Sequence, residues 1–257
     1  AATPVRPGMR GRLPGYTRHM PSRPPSADRL ALRDRFLTEA ARDLLAHDRR
    51  LAGLAVEVTF DGGVAHVRGE VADERPLMLL RELIGRLDGV YAVWDWVRIA
   101  GRPPVVLDLG CGEVKQDPTH IGVDLRPTPA VDVVADVSAG LPFRTGAADR
   151  VFAVHVLEHL PDYLPLLAEI RRVLRPGGLL HVLAPWWGHV NAVADPTHVR
   201  LVDVQTIKNI CRMASYRALH AGCDGATVFA DLQPVGDRHG PPWDAEREAV
   251  HASRFFD

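Results

Sequence analysis

A glycine turn directly after an apolar run is the feature of this sequence with the clearest chemical use. The run at 105–109 leads into Gly110 and Gly112. Glycine lets a ligand approach the backbone closely, and open α/β sheets bind ligands at the carboxyl ends of their strands. Lys115 stands where the dinucleotide fingerprint has its third glycine, so NAD is a poor candidate. The turn therefore predicts a site for another nucleotide-like ligand.

Two aspartates follow later apolar runs. Asp124 lies in the run at 121–125, and Asp136 directly follows the run at 131–135. A carboxylate at the first position could accept hydrogen bonds from ribose hydroxyls, and one at the second could face an adenine amino group. Each aspartate alone could be a solvated turn residue. Together with the glycine turn, they indicate a nucleoside site.

Four histidines are candidates for a general base, because imidazole titrates near neutral pH. His155 ends the apolar run at 151–155, and His159 would share a face with it if that stretch is helical. His189 and His198 lie further along the chain. Each of the four could instead be a histidine that only holds its loop in place.

The loop that carries His189 and His198 has further polar and aromatic candidates. Trp186 and Trp187 could wall an apolar pocket or could be ordinary core residues. His189, Asp195 and His198 offer nitrogen and oxygen atoms that could bind a metal ion. Their spacing matches no metal-site signature, so no metal is predicted.

The second half of the chain alternates between strand and helix patterns. Strand-like runs lie at 105–109, 121–125, 131–135, 151–155 and 179–184, and a helical pattern lies at 163–174. Such alternation predicts a parallel sheet with helices on its faces. After residue 201 the pattern predicts a helix, a late strand at 227–232 and an irregular end.

The first hundred residues divide into a tail and a small unit, and 101–104 form a linker because two prolines stand there. Residues 1–29 contain six arginines and many prolines but few apolar residues, which predicts a flexible tail. Residues 30–100 predict a helix from Leu30, a hairpin that turns at 61–63, a helix at 73–87 and a strand at 90–99. The predicted order is αββαβ.

The small unit resembles a BON domain. The resemblance is carried by Gly63-Val64 through Gly69 and by Gly89-Val90 through Val93. It implies a module that binds hydrophobic ligands, membranes or other proteins. The alternative is a rigid appendage used for packing or dimerisation.

Residues 101–257 resemble the type 11 group of class I S-adenosylmethionine-dependent methyltransferases. The matching segments occur in the family's order, and they are 108–112, Asp124, Asp136, 141–143, 149–152, 156–160 and 169–178. The implied fold class is α/β: a Rossmann-like, mostly parallel sheet with helices on both faces, preceded by the small α+β, BON-like unit. The stretch between Gly112 and Asp124 is shorter than the family usually shows, so its helix is expected to have at most about two turns.

The methyltransferase resemblance also implies S-adenosylmethionine as cofactor and assigns roles to residues. The cofactor-binding residues are Asp108, Gly110, Cys111, Gly112, Asp124, Leu125, Asp136, Val137 and His155. The expected substrate-binding residues are Trp186, Trp187, His189, Asp195 and His198, and the candidate catalytic residues are His198, His155 and His159. The implied activity is methyl transfer to an oxygen or nitrogen of a small molecule, such as a biosynthetic intermediate. The alternatives are a peptide or protein methyltransferase that captures substrate with 30–100, and a non-catalytic binding protein with this fold.

Composition limits the partners and the location. The net charge is −1, and residues 30–257 hold 25 Lys and Arg against 31 Asp and Glu, so no basic groove for nucleic acid is expected. No apolar run is long enough to span a membrane. Three cysteines without a CxxC pair, and an arginine-rich start without an apolar signal region, favour the cytoplasm. Apolar surface on the first unit could support a homodimer.

Overall fold

The computed structural model describes residues 27–252 and Phe255. Most of the predicted tail at 1–29 lies outside these residues, and its last three residues belong to the first helix, α1 (Ala27–His47). Helix α1 buries Leu37 and Ala41 but leaves Leu32 and Phe36 exposed. The homodimer prediction named no residues, and it stays a prediction.

The first unit has the predicted αββαβ order. Strands β1 (Ala55–Asp61), β2 (Val64–Val71) and β3 (Ala92–Ile99) form a sheet, and helix α2 (Glu74–Ile84) connects β2 to β3. Strands β1 and β2 are antiparallel, and β2 and β3 are parallel. The hairpin turns at two glycines with φ of 58° and 82°, which glycine adopts without steric cost. The BON resemblance itself stays a prediction.

The second sheet has seven strands in the order β6-β5-β4-β7-β8-β10-β9. They are β4 (Val106–Leu109), β5 (Ile121–Asp124), β6 (Val133–Val134), β7 (Ala148–Val154), β8 (Leu174–Pro185), β9 (Tyr216–Cys223) and β10 (Thr227–Pro234). Only β10 runs antiparallel to its neighbours, so the sheet is mostly parallel, as the alternating pattern predicts. The helices that follow β7 are α3 (Leu164–Val173), α4 (Asn191–Ala194), α5 (Val204–Ala214) and α6 (Ala245–Ala252).

Helices α3 and α5 cover one face of the seven-stranded sheet. Their buried side chains are Leu166, Leu167, Ile170 and Val173 from α3, and Ile207, Ile210 and Cys211 from α5. They join one apolar cluster with alternate strand residues such as Leu107, Val151 and Val182. This alternation is expected when each strand sends successive side chains to opposite faces.

The other face of the seven-stranded sheet is covered by the first unit, so the prediction of helices on both faces is wrong. Phe152 of β7 and Phe229 of β10 pack in one cluster with Trp94 and Trp96 of β3. Residues 110–147, all of which the structure describes, hold turns and two short strands but no helix. The connection at 110–120 is too short for a covering helix and contains a proline, so a second sheet fills the space.

Buried polar groups also join the two sheets. Asp95 of β3 is 1% exposed and accepts hydrogen bonds from Arg81 of α2 and Arg150 of β7. Asp231 of β10 accepts from the backbone nitrogen of Val93 at 2.6 Å. Such groups are stable in the interior only while they are paired, so the first unit is an integral part of the fold. No helix of the described residues is both long and apolar enough to cross a membrane.

Candidate functional site

The glycine turn lies at the carboxyl end of β4, as predicted. Gly110 and Gly112 have φ of 64° and 59°. A Cβ on Gly110 would lie 2.8 Å from Cγ2 of Val156, so the turn passes directly beside the end of β7. At Gly112, by contrast, a Cβ would meet no atom within 4 Å, which leaves open space over the backbone.

Asp124 and Asp136, the two carboxylates of the nucleoside hypothesis, both lie at the ends of strands. Asp124 ends β5, and its Oδ2 accepts from the backbone nitrogen of Gly112 at 2.9 Å. Asp136 follows β6, is exposed and accepts from both the hydroxyl and the backbone nitrogen of Ser138. These hydrogen bonds hold the pKa of Asp136 below its usual range, so the carboxylate is ionised at neutral pH.

Apolar side chains at the same edge suit an aromatic base. Leu125 and Val134 are 65% and 59% exposed, and Val137 is half-buried. Exposed apolar groups between two carboxylates, beside an open glycine backbone, match the apolar ring and the polar ribose of an adenosine group. The residues present therefore fit S-adenosylmethionine, with its nucleoside across the ends of β4, β5 and β6.

Asp108 is fully buried beneath the loop at 110–120. Its Oδ2 accepts from the backbone nitrogen of Gln116 at 2.6 Å and lies 3.7 Å from Nδ1 of His120. Its Oδ1 has no hydrogen-bond partner. The resemblance places Asp108 beside the cofactor. In the structure, its carboxylate stabilises the loop at 110–120, where the resemblance led us to expect a short helix.

The first unit supports this loop from its other side. The indole nitrogen of Trp96 donates to Nε2 of His120 at 2.8 Å, and the two rings are stacked. Arg68 of β2 pairs with Asp117 at 2.7 Å and lies over the Trp96 ring. These residues were not predicted from the sequence. The two tryptophans of β3 could have indicated them, because residues two positions apart in a strand point to the same face, and two large apolar side chains on one face indicate that it is covered.

Replacing Trp96 with phenylalanine is expected to lower the free energy of unfolding by about 1–3 kcal/mol, because Nε2 of buried His120 would lose its donor. Trypsin should also cut faster after Lys115, which lies in the supported loop. Urea titration and timed proteolysis measure the two effects. The control is Trp187→Phe at a half-exposed indole, with an expected change within about 0.5 kcal/mol. Equal losses of unfolding free energy in both variants would contradict the conclusion that Trp96 supports the loop.

Among the predicted bases, His155 has the contacts and the exposure that best suit a general base. It follows β7 with a left-handed φ of 54°, which is uncommon for a residue other than glycine. Its Nδ1 lies 3.1 Å from Oε1 of Glu158, whose side chain is 1% exposed, whereas the His155 side chain is 53% exposed. Because a carboxylate accepts, Nδ1 carries the proton, and Nε2 of the neutral ring is left as an acceptor.

His159 and His198 lie together on the other side of Glu158. After left-handed His155, only Leu157–His159 form a single 3-10 turn, so the stretch is not a helix and the condition under which His155 and His159 would share a face is not met. The His159 and His198 rings have centroids 4.7 Å apart. Asp195 approaches His198, with its Oδ2 at 3.9 Å from Nε2. The turn after β7 and the loop after α4 are far apart in sequence, but both lie beside the carboxylate of Glu158.

The remaining predicted residues lie in less specific surroundings. His189 accepts from the backbone nitrogen of Asn191 and is not part of the group formed by Glu158, His159 and His198. The Trp186 and Trp187 rings are 5.6 Å apart, the first partly buried and the second half-exposed. Burial raises the pKa of the Cys111 thiol, which argues against a nucleophilic role.

Comparisons with known proteins place part of the chain in a family. The family model described as "Methyltransferase domain" matches residues 107–182. An uncharacterised methyltransferase from Mycobacterium sp. (strain KMS) is 30% identical over 183 residues, which cover 59% of this chain and 71% of that protein. Trans-aconitate 2-methyltransferase from Azoarcus sp. (strain BH72) is 32% identical over 164 residues, which cover 56% of this chain and 61% of that protein.

The chain spans about half the length of several curated relatives that it matches. Among solved structures, a SAM-dependent methyltransferase from Aquifex aeolicus matches with a TM-score of 0.40 and 17% identity, over 50% of this chain and 81% of that one. S-adenosylmethionine is the cofactor of the matched family. Because the Mycobacterium methyltransferase is 30% identical and is covered over 71% of its length, the chain belongs to the S-adenosylmethionine-dependent methyltransferases.

Proposed function

We propose that this protein transfers a methyl group to an oxygen or nitrogen atom of a small molecule. The observation that carries the proposal is the contact of buried Glu158 with Nδ1 of His155, one residue before Val156, whose side chain lies against the glycine turn. This contact supports His155 as a base at the edge proposed for the cofactor. A base is needed when the acceptor oxygen or nitrogen starts protonated.

The chain's own residues would divide the work between binding and proton removal. S-adenosylmethionine supplies a methyl group on a sulfonium centre. Asp124 would bind the ribose hydroxyls, and Asp136 with Val137 would contact adenine. His155 would take the acceptor proton on Nε2, while Glu158 stabilises the resulting imidazolium. Holding the acceptor in line would supply most of the rate enhancement, and well-oriented intramolecular reactions gain about 7–11 kcal/mol this way.

The acceptor class is proposed from the relatives and from the exposed loop at 186–198. One relative is named for methylation of trans-aconitate, a small carboxylic acid. Trp186 and Trp187 would flank such an acceptor, and His189 and His198 would orient it. We place the reaction in the cytoplasm because of the chain's cysteine usage, with no nucleic acid as substrate.

The test of the cofactor site is the affinity for S-adenosylhomocysteine, measured by calorimetry. Asp124→Ala should weaken binding by about 10–100-fold, because hydrogen bonds to a charged group contribute about 1.5–3 kcal/mol. The control is Asp48→Ala. Asp48 is likewise a carboxylate that accepts from a backbone nitrogen, but it lies in the first unit, so its loss should not affect binding. Similar affinities in wild type and both variants would contradict the assigned site.

The test of the activity is a screen of small carboxylic acids, phenols and amines for formation of S-adenosylhomocysteine. Turnover with one of these classes would identify the acceptor. Binding without turnover, together with methylation of peptides, would favour the alternative in which 30–100 capture a peptide. Absence of binding by folded wild type would favour a non-catalytic protein. The packing of the first unit against the cofactor loop favours a supporting role for 30–100 over substrate capture.

A further inference from the structure

Glu158, His159 and His198 form a compact group beside the proposed base. Each offers one ligand atom, and the three atoms lie within 4.8 Å of one another. Two of these residues come from the turn after β7, and His198 comes from the loop after α4. The backbone nitrogens of Val199 and Arg200 both donate to the carbonyl oxygen of Glu158, at 2.9 and 3.1 Å, so the two segments are held together.

The hydrogen bonds of His198 fix which ring nitrogen is free. Its Nδ1 lies 3.1 Å from the carbonyl oxygen of Ala192. A carbonyl oxygen can only accept, so Nδ1 must carry the proton. Nε2 of His198 therefore has an unshared lone pair, which is the form that binds metal ions.

His159 is fixed in the same form through a relay. Oγ1 of Thr197 donates its only hydrogen to Oδ1 of Asp195 at 2.6 Å. The same oxygen lies 2.9 Å from Nδ1 of His159, so it must accept a hydrogen bond from that nitrogen. His159 Nε2 is thus also left with a lone pair.

Glu158 supplies an independent sign that something is bound here. Its side chain is 1% exposed, and Oε1 is occupied by His155. Its second oxygen, Oε2, is buried and has no hydrogen-bond partner. An unpaired buried carboxylate oxygen is costly, and a cation would satisfy it.

We propose that Glu158, His159 and His198 bind one divalent transition-metal ion, with Zn²⁺ the best match. Two neutral imidazoles and one carboxylate are the ligand types that Zn²⁺ prefers, and three protein ligands leave a coordination position open. Mg²⁺ and Ca²⁺ prefer all-oxygen ligands and are disfavoured by the two nitrogens. The ligand set differs from the sequence-based one of His189, Asp195 and His198, in which only His198 recurs.

The position of this site gives the metal a defined relation to the proposed base. Glu158 would contact His155 through Oε1 and the metal through Oε2. The open coordination position could bind an acceptor oxygen. The metal-binding inference itself does not depend on methyl transfer, because its test measures metal retention.

The experiment uses the full chain, freed of metal with a chelator, and adds Zn²⁺ or Co²⁺ as the probe. Wild type should retain one equivalent of Zn²⁺ through gel filtration, and Co²⁺ should give a visible absorption band. His159→Ala and His198→Ala should both lose the retained metal. His189→Ala is the matched control from the same loop and should retain it.

Thr197→Val tests the relay with little risk to folding, since the side chain is exposed. It should weaken metal affinity by about 10–100-fold, as loss of an outer hydrogen bond to a ligating histidine does. Thermal melts of metal-free protein establish that each variant is folded. The proposal is overturned if folded wild type retains no Zn²⁺ or Co²⁺, if His159→Ala and His198→Ala retain as much as wild type, or if His189→Ala loses it equally.

Discussion

Replacing His155 with alanine is expected to lower kcat by about 10²–10⁴-fold on the acceptor found in the screen, because the proposed base is removed. The variant keeps Asp124 and the glycine turn, so the loss should fall mainly on kcat rather than on S-adenosylhomocysteine affinity. The measurement is steady-state methyl transfer at a fixed pH, with the affinity for S-adenosylhomocysteine measured beside it.

Two variants separate the base from its supporting carboxylate. Glu158→Gln keeps an oxygen that can accept from His155 Nδ1 but removes the charge, so its loss should be smaller than that of His155→Ala. His47→Ala is the control, because His47 is an exposed histidine of α1 whose Nδ1 lies 2.9 Å from a backbone carbonyl oxygen. It should leave kcat unchanged. A variant without His155 that keeps the wild-type kcat would refute the assignment.

Local sequence patterns were sufficient to predict which strand ends carry the candidate cofactor site. The apolar run before Gly110 and the run that ends in Asp124 became neighbouring parallel strands, paired from Leu107 to Ile121 onward. Since parallel strands end at a common edge, their positions in sequence placed the turn and the carboxylate together. The αββαβ order followed from the same kind of local signal, because alternation and a glycine pair mark a hairpin.

What covers each sheet face could not be predicted, since it depends on contacts between distant residues. Trp96 is hydrogen-bonded to His120, which lies 24 positions away in the sequence, and Val93 is hydrogen-bonded to Asp231, which lies 138 positions away. Strand β9 was missed because its sequence, Tyr-Arg-Ala-Leu-His-Ala-Gly-Cys, is poor in β-branched residues. It is a strand because β10 pairs with it.

The histidine sites show the same limit. Glu158 and His159 lie about forty positions from His198 in sequence, and the loops that bring them together contain no regular pattern. The sequence therefore suggested a local group within 189–198, whereas the structure combines one member of it with the turn after β7. The left-handed backbone at His155 was equally invisible, because the residue type gives no sign of it.

Replacing Asp95 with asparagine is expected to lower the free energy of unfolding by about 3–5 kcal/mol, because the buried guanidinium groups of Arg81 and Arg150 would lose the carboxylate to which both donate. Both arginines are less than 10% exposed and donate to this one carboxylate. The measurement is urea unfolding by tryptophan fluorescence and circular dichroism. Glu82→Gln is the control at an exposed pair with Arg86, with an expected loss of at most about 1 kcal/mol.

The Asp95 network also decides whether the two sheets unfold together. Arg81 belongs to the first unit and Arg150 to β7, so their shared carboxylate links both. Wild type should show coincident transitions by both probes, whereas Asp95→Asn should broaden or separate them. A triple variant with Asp95→Leu, Arg81→Met and Arg150→Met should regain most of the loss, because apolar packing can replace a buried ionic group. If Asp95→Asn is as stable as wild type, the first unit is not anchored by this network.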